Sequence, residues 1–147
     1  MTVLDAFAVL ALIKNEPAAP EVRALLADGD VAVTALGVAE VLDHLVRQTG
    51  SDERHVALDL KELGLLEGLP VSGAIGVAAG RLRARRYHRT RCSISLADCV
   101  AAEIARSLRR PLATADPHLL DVCHAEGIAL IALPSPTGAR WTPPDPA

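Results

Sequence analysis

The chain has 147 residues and a formal net charge of −3, with 15 lysines and arginines against 18 aspartates and glutamates. Half of it is hydrophobic, yet it contains one Phe, one Tyr and one Trp, so a core must be assembled from Ala, Val, Leu and Ile, which suits helices packed on a parallel sheet. The length fits one globular unit rather than two, no apolar run reaches the roughly 18 to 20 residues of a membrane span, and three cysteines without a CxxC pair argue against a disulfide framework.

Residues 2 to 5, TVLD, read as a short buried strand, and AFAVLALIKNEP as a helix that stops before Pro17. Asp5 stands where a secretory signal carries basic residues, so a cytoplasmic location is expected. APEVRALLAD (19 to 28) reads as a short helix with a stop at Gly29, and DVAVTA (30 to 35) as a second strand. In LGVAEVLDHLVRQTG the apolar positions 38, 41, 42, 45 and 46 keep the helical period up to Gly50, and Ser51 opens a further, well-capped helix.

LLEGLPV (65 to 71) reads as a third strand, and GAIGVAAGRLRARRYH as a helix whose small residues, including Gly73, Gly76 and Gly80, permit close packing. SLADCVAAEIARSLRR is helical, PLATAD a strand, PHLLDVCHAEG a helix and IALIAL (128 to 133) a last strand. The sum is an α/β fold of roughly five parallel strands with helices on both faces. The proline-rich segment 134 to 147 stands outside this unit of residues 1 to 133 and is expected to lie extended on the surface or disordered.

In such a sheet the functional crevice lies at the carboxyl ends of the strands. Asp5 and Asp116 end strands there, Asp98 falls in the first turn of the helix begun at Ser95, and Glu40 lies in the first half of the helix after strand two. Asp5, Asp98 and Asp116 each have an ordinary explanation as helix caps; Glu40, set among apolar neighbours, has none, whereas Asp43 can pair with Arg47 four residues on. Four carboxylates on one edge repel unless a cation joins them, and oxygen-only ligation favours Mg²⁺ or Mn²⁺ over Zn²⁺. A zinc site at His118, Cys123 and His124 is disfavoured, since His118 and Cys123 fall on different faces of one helix.

Charge is unevenly placed. GRLRARRYHRTRC (80 to 92) holds six arginines and no acid, and Arg81, Arg85 and Arg89, spaced by four, are expected to share a helical face that meets RNA phosphates or an acidic partner segment. No GxSxG elbow, HExxH pair or Walker loop occurs, and the glycines at 73, 76 and 80 have the wrong spacing for a dinucleotide fingerprint.

Taken in order, VLDAFAVLALIKNEP, VAVTALGVAEVLDHL and SLADCVAAEIARSLRRPLATADPHL make residues 1 to about 133 resemble the PIN domain, in particular the VapC-type toxins of bacterial toxin–antitoxin pairs. The resemblance implies a metal-dependent endoribonuclease whose Mg²⁺ or Mn²⁺ is held by Asp5, Glu40, Asp98 and Asp116, with Thr114 as a hydroxyl beside the metal. It also implies a homodimer and a cognate VapB-type antitoxin. The chain departs from the family pattern in its proline-rich tail and in having His118, Leu119 and Leu120 where an aromatic residue often follows the fourth acid. Two alternatives stand beside this reading. One is a catalytically silent PIN-fold binding module, although no acid is missing. The other is a phosphorylation-dependent receiver domain, which needs adjacent acids after strand one and a lysine after strand five, whereas the chain's two lysines are Lys14 and Lys61.

Overall fold

Four three-residue apolar runs form the centre of the molecule, seen in a computed structural model that describes residues 1–146. They are β1 (Thr2–Leu4), β2 (Val31–Val33), β3 (Leu112–Thr114) and β4 (Leu130–Ala132), all parallel, in the order β2-β1-β3-β4. Seven helices connect them: α1 (Ala6–Ile13), α2 (Ala19–Ala27), α3 (Ala35–Thr49), α4 (Glu53–Glu62), α5 (Gly73–Arg86), α6 (Leu96–Leu108) and α7 (Pro117–Ala125).

Side chains of a strand alternate between faces, so the sheet feeds two cores. Leu4 and Ala113 join a cluster built on α1 to α4 with Val9, Val22, Val41 and Leu60, while Val3 and Leu112 join a second cluster with Leu82, Ile94, Val100 and Leu119. The sheet is thus covered on both sides, and its strands are apolar except for Thr2 and Thr114, as strands of a covered parallel sheet mostly are. The α/β class expected from the sequence holds.

The expected fifth strand does not form. Within 65 to 71, Leu69 alone pairs in parallel with Thr34, its N–H donating to the Val33 carbonyl at 2.6 Å and its carbonyl accepting from Ala35 at 2.7 Å. Gly68 sets the limit on one side: it has φ +60°, and a Cβ there would come within 2.9 Å of the Ala35 Cα. Pro70 sets it on the other, having no N–H to extend the ladder.

Three smaller expectations also change. The second helix of the middle segment is capped by Asp52 rather than Ser51, since the Asp52 carboxylate accepts from Arg54 and His55 N–H. A Cβ on Gly73, Gly76 or Gly80 would meet nothing within 4 Å, so these glycines do not serve close packing within the chain. Arg89 lies beyond α5, in a turn closed by the His88–Cys92 bridge, and therefore shares no helical face with Arg81 and Arg85.

Segment 134 to 146 runs without regular structure but is fastened to the surface. Arg140 pairs with Glu21, and Trp141 donates its indole N–H to Asp121 at 2.7 Å while meeting His124 edge-on. Ala147 lies outside the described residues.

At the end of α7, Glu126 ties three helices together. Its carboxylate, only 9% exposed, accepts from Arg85 at 2.9 Å, Arg86 at 2.7 Å and Arg106 at 2.8 Å. The hydrogen bond from Arg85, with those from Arg106 and Arg86, outweighs burial and holds the carboxyl at about 2. A folded value below the unfolded one means stability that is present above about pH 4.5 and lost as the pH falls toward 2. Glu126→Gln is expected to lower stability at pH 7 by about 1 to 2 kcal/mol. Urea unfolding at several pH values checks this, with the difference from the parent shrinking as the medium is acidified.

Candidate metal centre

Three of the predicted acids are placed by the starts of helices that face the carboxyl edge of the sheet. Asp5 follows β1 and caps α1, its Oδ1 accepting from Ala8 N–H at 2.8 Å. Asp116 follows β3 and caps α7, its Oδ1 accepting from His118 N–H at 2.8 Å. Asp98 is the third residue of α6 and forms a capping box with Ser95, its Oδ2 accepting from Ser95 N–H at 2.7 Å. Glu40 stands in the second turn of α3, half-buried and with no capping duty.

The register of β1 on β3 aligns Leu4 with Ala113, so Asp5 comes level with Thr114. The fully buried Thr114 hydroxyl donates to Asp5 Oδ2 and accepts from Asp116 N–H at 3.0 Å. One hydroxyl therefore fixes two of the acids relative to each other.

The electrostatics show that the acids sense one another. Burial pushes the Asp5 carboxyl up to about 7 against hydrogen bonds from Thr114 and Ala8, and Asp98 and Asp116 push it further in the same direction. Asp98 is raised by burial and by Asp116, and Glu40 by burial and by Asp98 and Asp43. Asp98 thus couples Glu40 to the two strand-end acids. Asp43, by contrast, is held by Arg47 through contacts of 2.9 to 3.3 Å, as the spacing suggests.

The donor set consists of carboxylate oxygens, which suit a hard divalent cation. Among the described residues no three His, Cys, Asp or Glu side chains form a ready-made cluster able to hold an ion. Their hydrogen bonds explain this: both Asp5 oxygens and one oxygen each of Asp98 and Asp116 are turned to helix starts and to Thr114. The second oxygens of Asp98 and Asp116 and the Glu40 carboxylate carry no such duty. The alternative zinc set is dispersed, since His118 accepts from Ser93 N–H at 3.2 Å, Cys123 is fully buried, and His124 faces Trp141.

The predicted basic residues are placed differently. Arg85 is engaged by Glu126, and Arg81 and Arg89 are exposed on different elements. Arg83, which sequence reasoning passed over, opposes in small part the rise at Asp98. Its Nε donates to the Ile94 carbonyl at 2.9 Å and its guanidinium lies 4.1 Å from the centre of the Tyr87 ring. The four-residue spacing of Arg83 and Tyr87 was the available signal.

Comparison with known proteins places the fold. Among solved structures, the chain is similar to FitAcB from Neisseria gonorrhoeae, with a TM-score of 0.64 and 22% identity over 95% of this chain and 100% of that one. It is similar to FitAB bound to an IR36 DNA fragment, at TM-score 0.65 and 21% identity over 90% of this chain and 94% of that one. A third likeness is to VapBC2 from Rickettsia felis bound to a DNA fragment from its promoter, at TM-score 0.62 and 18% identity over 89% and 97%. At these identities the likeness is one of fold. None of the curated proteins matches the chain. The receiver-domain alternative falls away, because the model of another family, described as the PIN domain, matches residues 2–125. The chain therefore belongs to the PIN domain family.

Proposed function

We propose that the protein is a metal-dependent endoribonuclease that hydrolyses RNA phosphodiester bonds and acts as the toxin of a toxin–antitoxin pair. The observation that carries this reading is that Asp5, Asp98 and Asp116 all stand at helix starts on the carboxyl edge of the sheet, with the Thr114 hydroxyl bonded to both the Asp5 carboxylate and the Asp116 N–H. Two structures of similar fold, a toxin–antitoxin complex from Klebsiella pneumoniae and VapBC2 from Rickettsia felis, support it and favour a VapB-type antitoxin as partner. A homodimer and a cytoplasmic setting belong to the same proposal; no helix among the described residues is long and apolar enough to cross a membrane.

In this reading Asp5, Glu40, Asp98 and Asp116 hold Mg²⁺ or Mn²⁺. Bound there, the cation supplies a more acidic water and neutralises charge on the phosphoryl oxygens. The chain's own part is to hold the oxygens in place: Thr114 locks Asp5 against Asp116, and the capping box fixes Asp98. Arg83, with Arg81 and Arg89, supplies positive charge for an RNA strand drawn to an acidic centre. Arg85 contributes less, being committed to Glu126.

The engagement of both Asp5 oxygens and one oxygen each of Asp98 and Asp116 in hydrogen bonds within the chain favours a second reading, a silent PIN-fold binding module. Cleavage of a mixed RNA pool separates the two. The nuclease reading expects cutting with Mg²⁺ or Mn²⁺, none with EDTA, and a loss of at least a hundredfold in Asp98→Asn and Asp116→Asn, whose amide oxygens can still cap. A folded, antitoxin-free parent that cuts nothing under either metal supports the binding module.

The metal-free protein carries a second signature. Asp5 takes up its proton at about 7 when folded against an ordinary value of 3.8, so between those pH values the folded state binds more protons. Stability of the metal-free protein is then expected to fall as the pH rises from about 4 to 7, by up to ~1.4 kcal/mol per pH unit from this group. Asp5→Asn abolishes cleavage and flattens the slope. Thermal unfolding in EDTA across this range checks it, and added Mg²⁺ should raise the melting temperature of the parent but not of the variant.

A further inference from the structure

Beside Asp116 the surface opens into a cavity of about 250 Å³, lined on its apolar part by Phe7, Pro117, Pro134 and Pro136 and on its polar part by Asp116, Glu16 and Ser135. Phe7 is one of three aromatic residues in the chain and is 51% exposed, although it stands in an otherwise buried apolar helix. Resting on the nuclease reading above, we infer that this slot receives a nucleobase of the RNA strand next to the phosphate held at the acids, making Phe7 and the 134–136 turn the determinants of where the strand is cut.

Three observations favour a base over an apolar side chain of a protein partner. The slot shares Asp116 with the acid centre, so a nucleotide bound there has its base within reach of Phe7. Its lining combines an aromatic ring and proline rings with carboxylate acceptors, matching a planar apolar ring that has a donor-bearing edge, whereas an aliphatic side chain uses only the first. Lys14 lies 3.3 Å from Glu16 and brings a cation to the slot's margin, offsetting the carboxylates there toward a polyanionic strand.

The far wall is preformed. The Ser135 hydroxyl accepts from Thr137 N–H at 3.3 Å and Ala139 N–H at 3.2 Å, and Gly138 N–H donates to the Ser135 carbonyl at 2.8 Å. This self-bonded turn, with Gly138 at φ +84°, holds Pro134 and Pro136 against the slot.

The test maps cleavage sites by sequencing after digestion of a random RNA pool with Mn²⁺, for the parent, Phe7→Leu, Phe7→Trp and Glu16→Gln, each first shown folded by circular dichroism. Leucine keeps apolar contact but loses the stacking face. Phe7→Leu is therefore expected to raise KM about tenfold or more while kcat stays within a few-fold, and to flatten the base preference beside the cut. Phe7→Trp restores both, and Glu16→Gln, which removes one carboxylate acceptor of the slot, alters the base preference beside the cut. In cleavage-blocked Asp98→Asn, fluorescence of a 2-aminopurine RNA should be quenched on binding, and less so when Phe7→Leu is added. A parent that cuts RNA with the same KM and base profile as Phe7→Leu overturns the slot alone and leaves it as a seat for a protein side chain. A parent that cuts nothing overturns the slot and the nuclease reading together.

Discussion

The hydroxyl of Thr114 donating to Asp5 is the contact on which the acid edge depends. A buried carboxylate must find donors or lose its charge. The β1–β3 register gives Asp5 one from the neighbouring strand, and the first turn of α1 gives it another, Ala8 N–H. The same hydroxyl accepts from Asp116 N–H, so a single side chain sets the spacing between the ends of two strands. Since α1 and α7 both begin at these residues, the placement of two helices follows from the same contact.

Helix starts also explain how several acids can share the edge. The amino ends of α1, α6 and α7 carry partial positive charge from unpaired N–H groups, and each takes an aspartate oxygen as its cap. This offsets part of the mutual repulsion but not the burial, which still leaves Asp5 near 7 and Asp98 and Glu40 raised. The opposite arrangement holds at the end of α7, where one carboxylate meets three guanidiniums that remain partly in water. Arginines that look like a single basic stripe in the sequence are thereby divided: Arg85 and Arg86 fasten helices through Glu126, and Arg83 bonds the Ile94 carbonyl and stacks on Tyr87.

That division marks the boundary of what the sequence can reveal. The helices and four of the five strands are legible because apolar periodicity is a local property, and the capping roles of Asp5, Asp98 and Asp116 are legible because caps have fixed spacing. The strand at 65 to 71 misleads because LLEGLPV has strand-like apolar content, while the limit on it lies in the contact of Gly68 with Ala35, more than thirty residues away in the chain. Arg89 misleads for a related reason: four-residue spacing continues past Arg86, but the backbone turns extended at Tyr87 and closes a bridge at His88 and Cys92. Caps and metal ligands draw on the same residue types, so no local pattern separates the two roles of an aspartate at a helix start. Glu40, with no cap to explain it, is the more informative acid for that reason.

Phe7 and the tail were illegible for a different reason. In AFAVLALI every position is apolar, so periodicity assigns no outward face, and only the packing of Ala8, Val9 and Leu12 into the core turns Phe7 outward. The tail has no periodicity at all. Its position comes from contacts distant in sequence, Arg140 to Glu21 and Trp141 to Asp121. Prolines there restrict the unbound chain, so a few contacts suffice to order it without a helix or strand. A segment held in this way keeps its backbone free of the sheet while its rings line the cavity beside Asp116. Its shape can therefore vary with little effect on the core, whereas the acid edge, tied to strand register and helix starts, cannot.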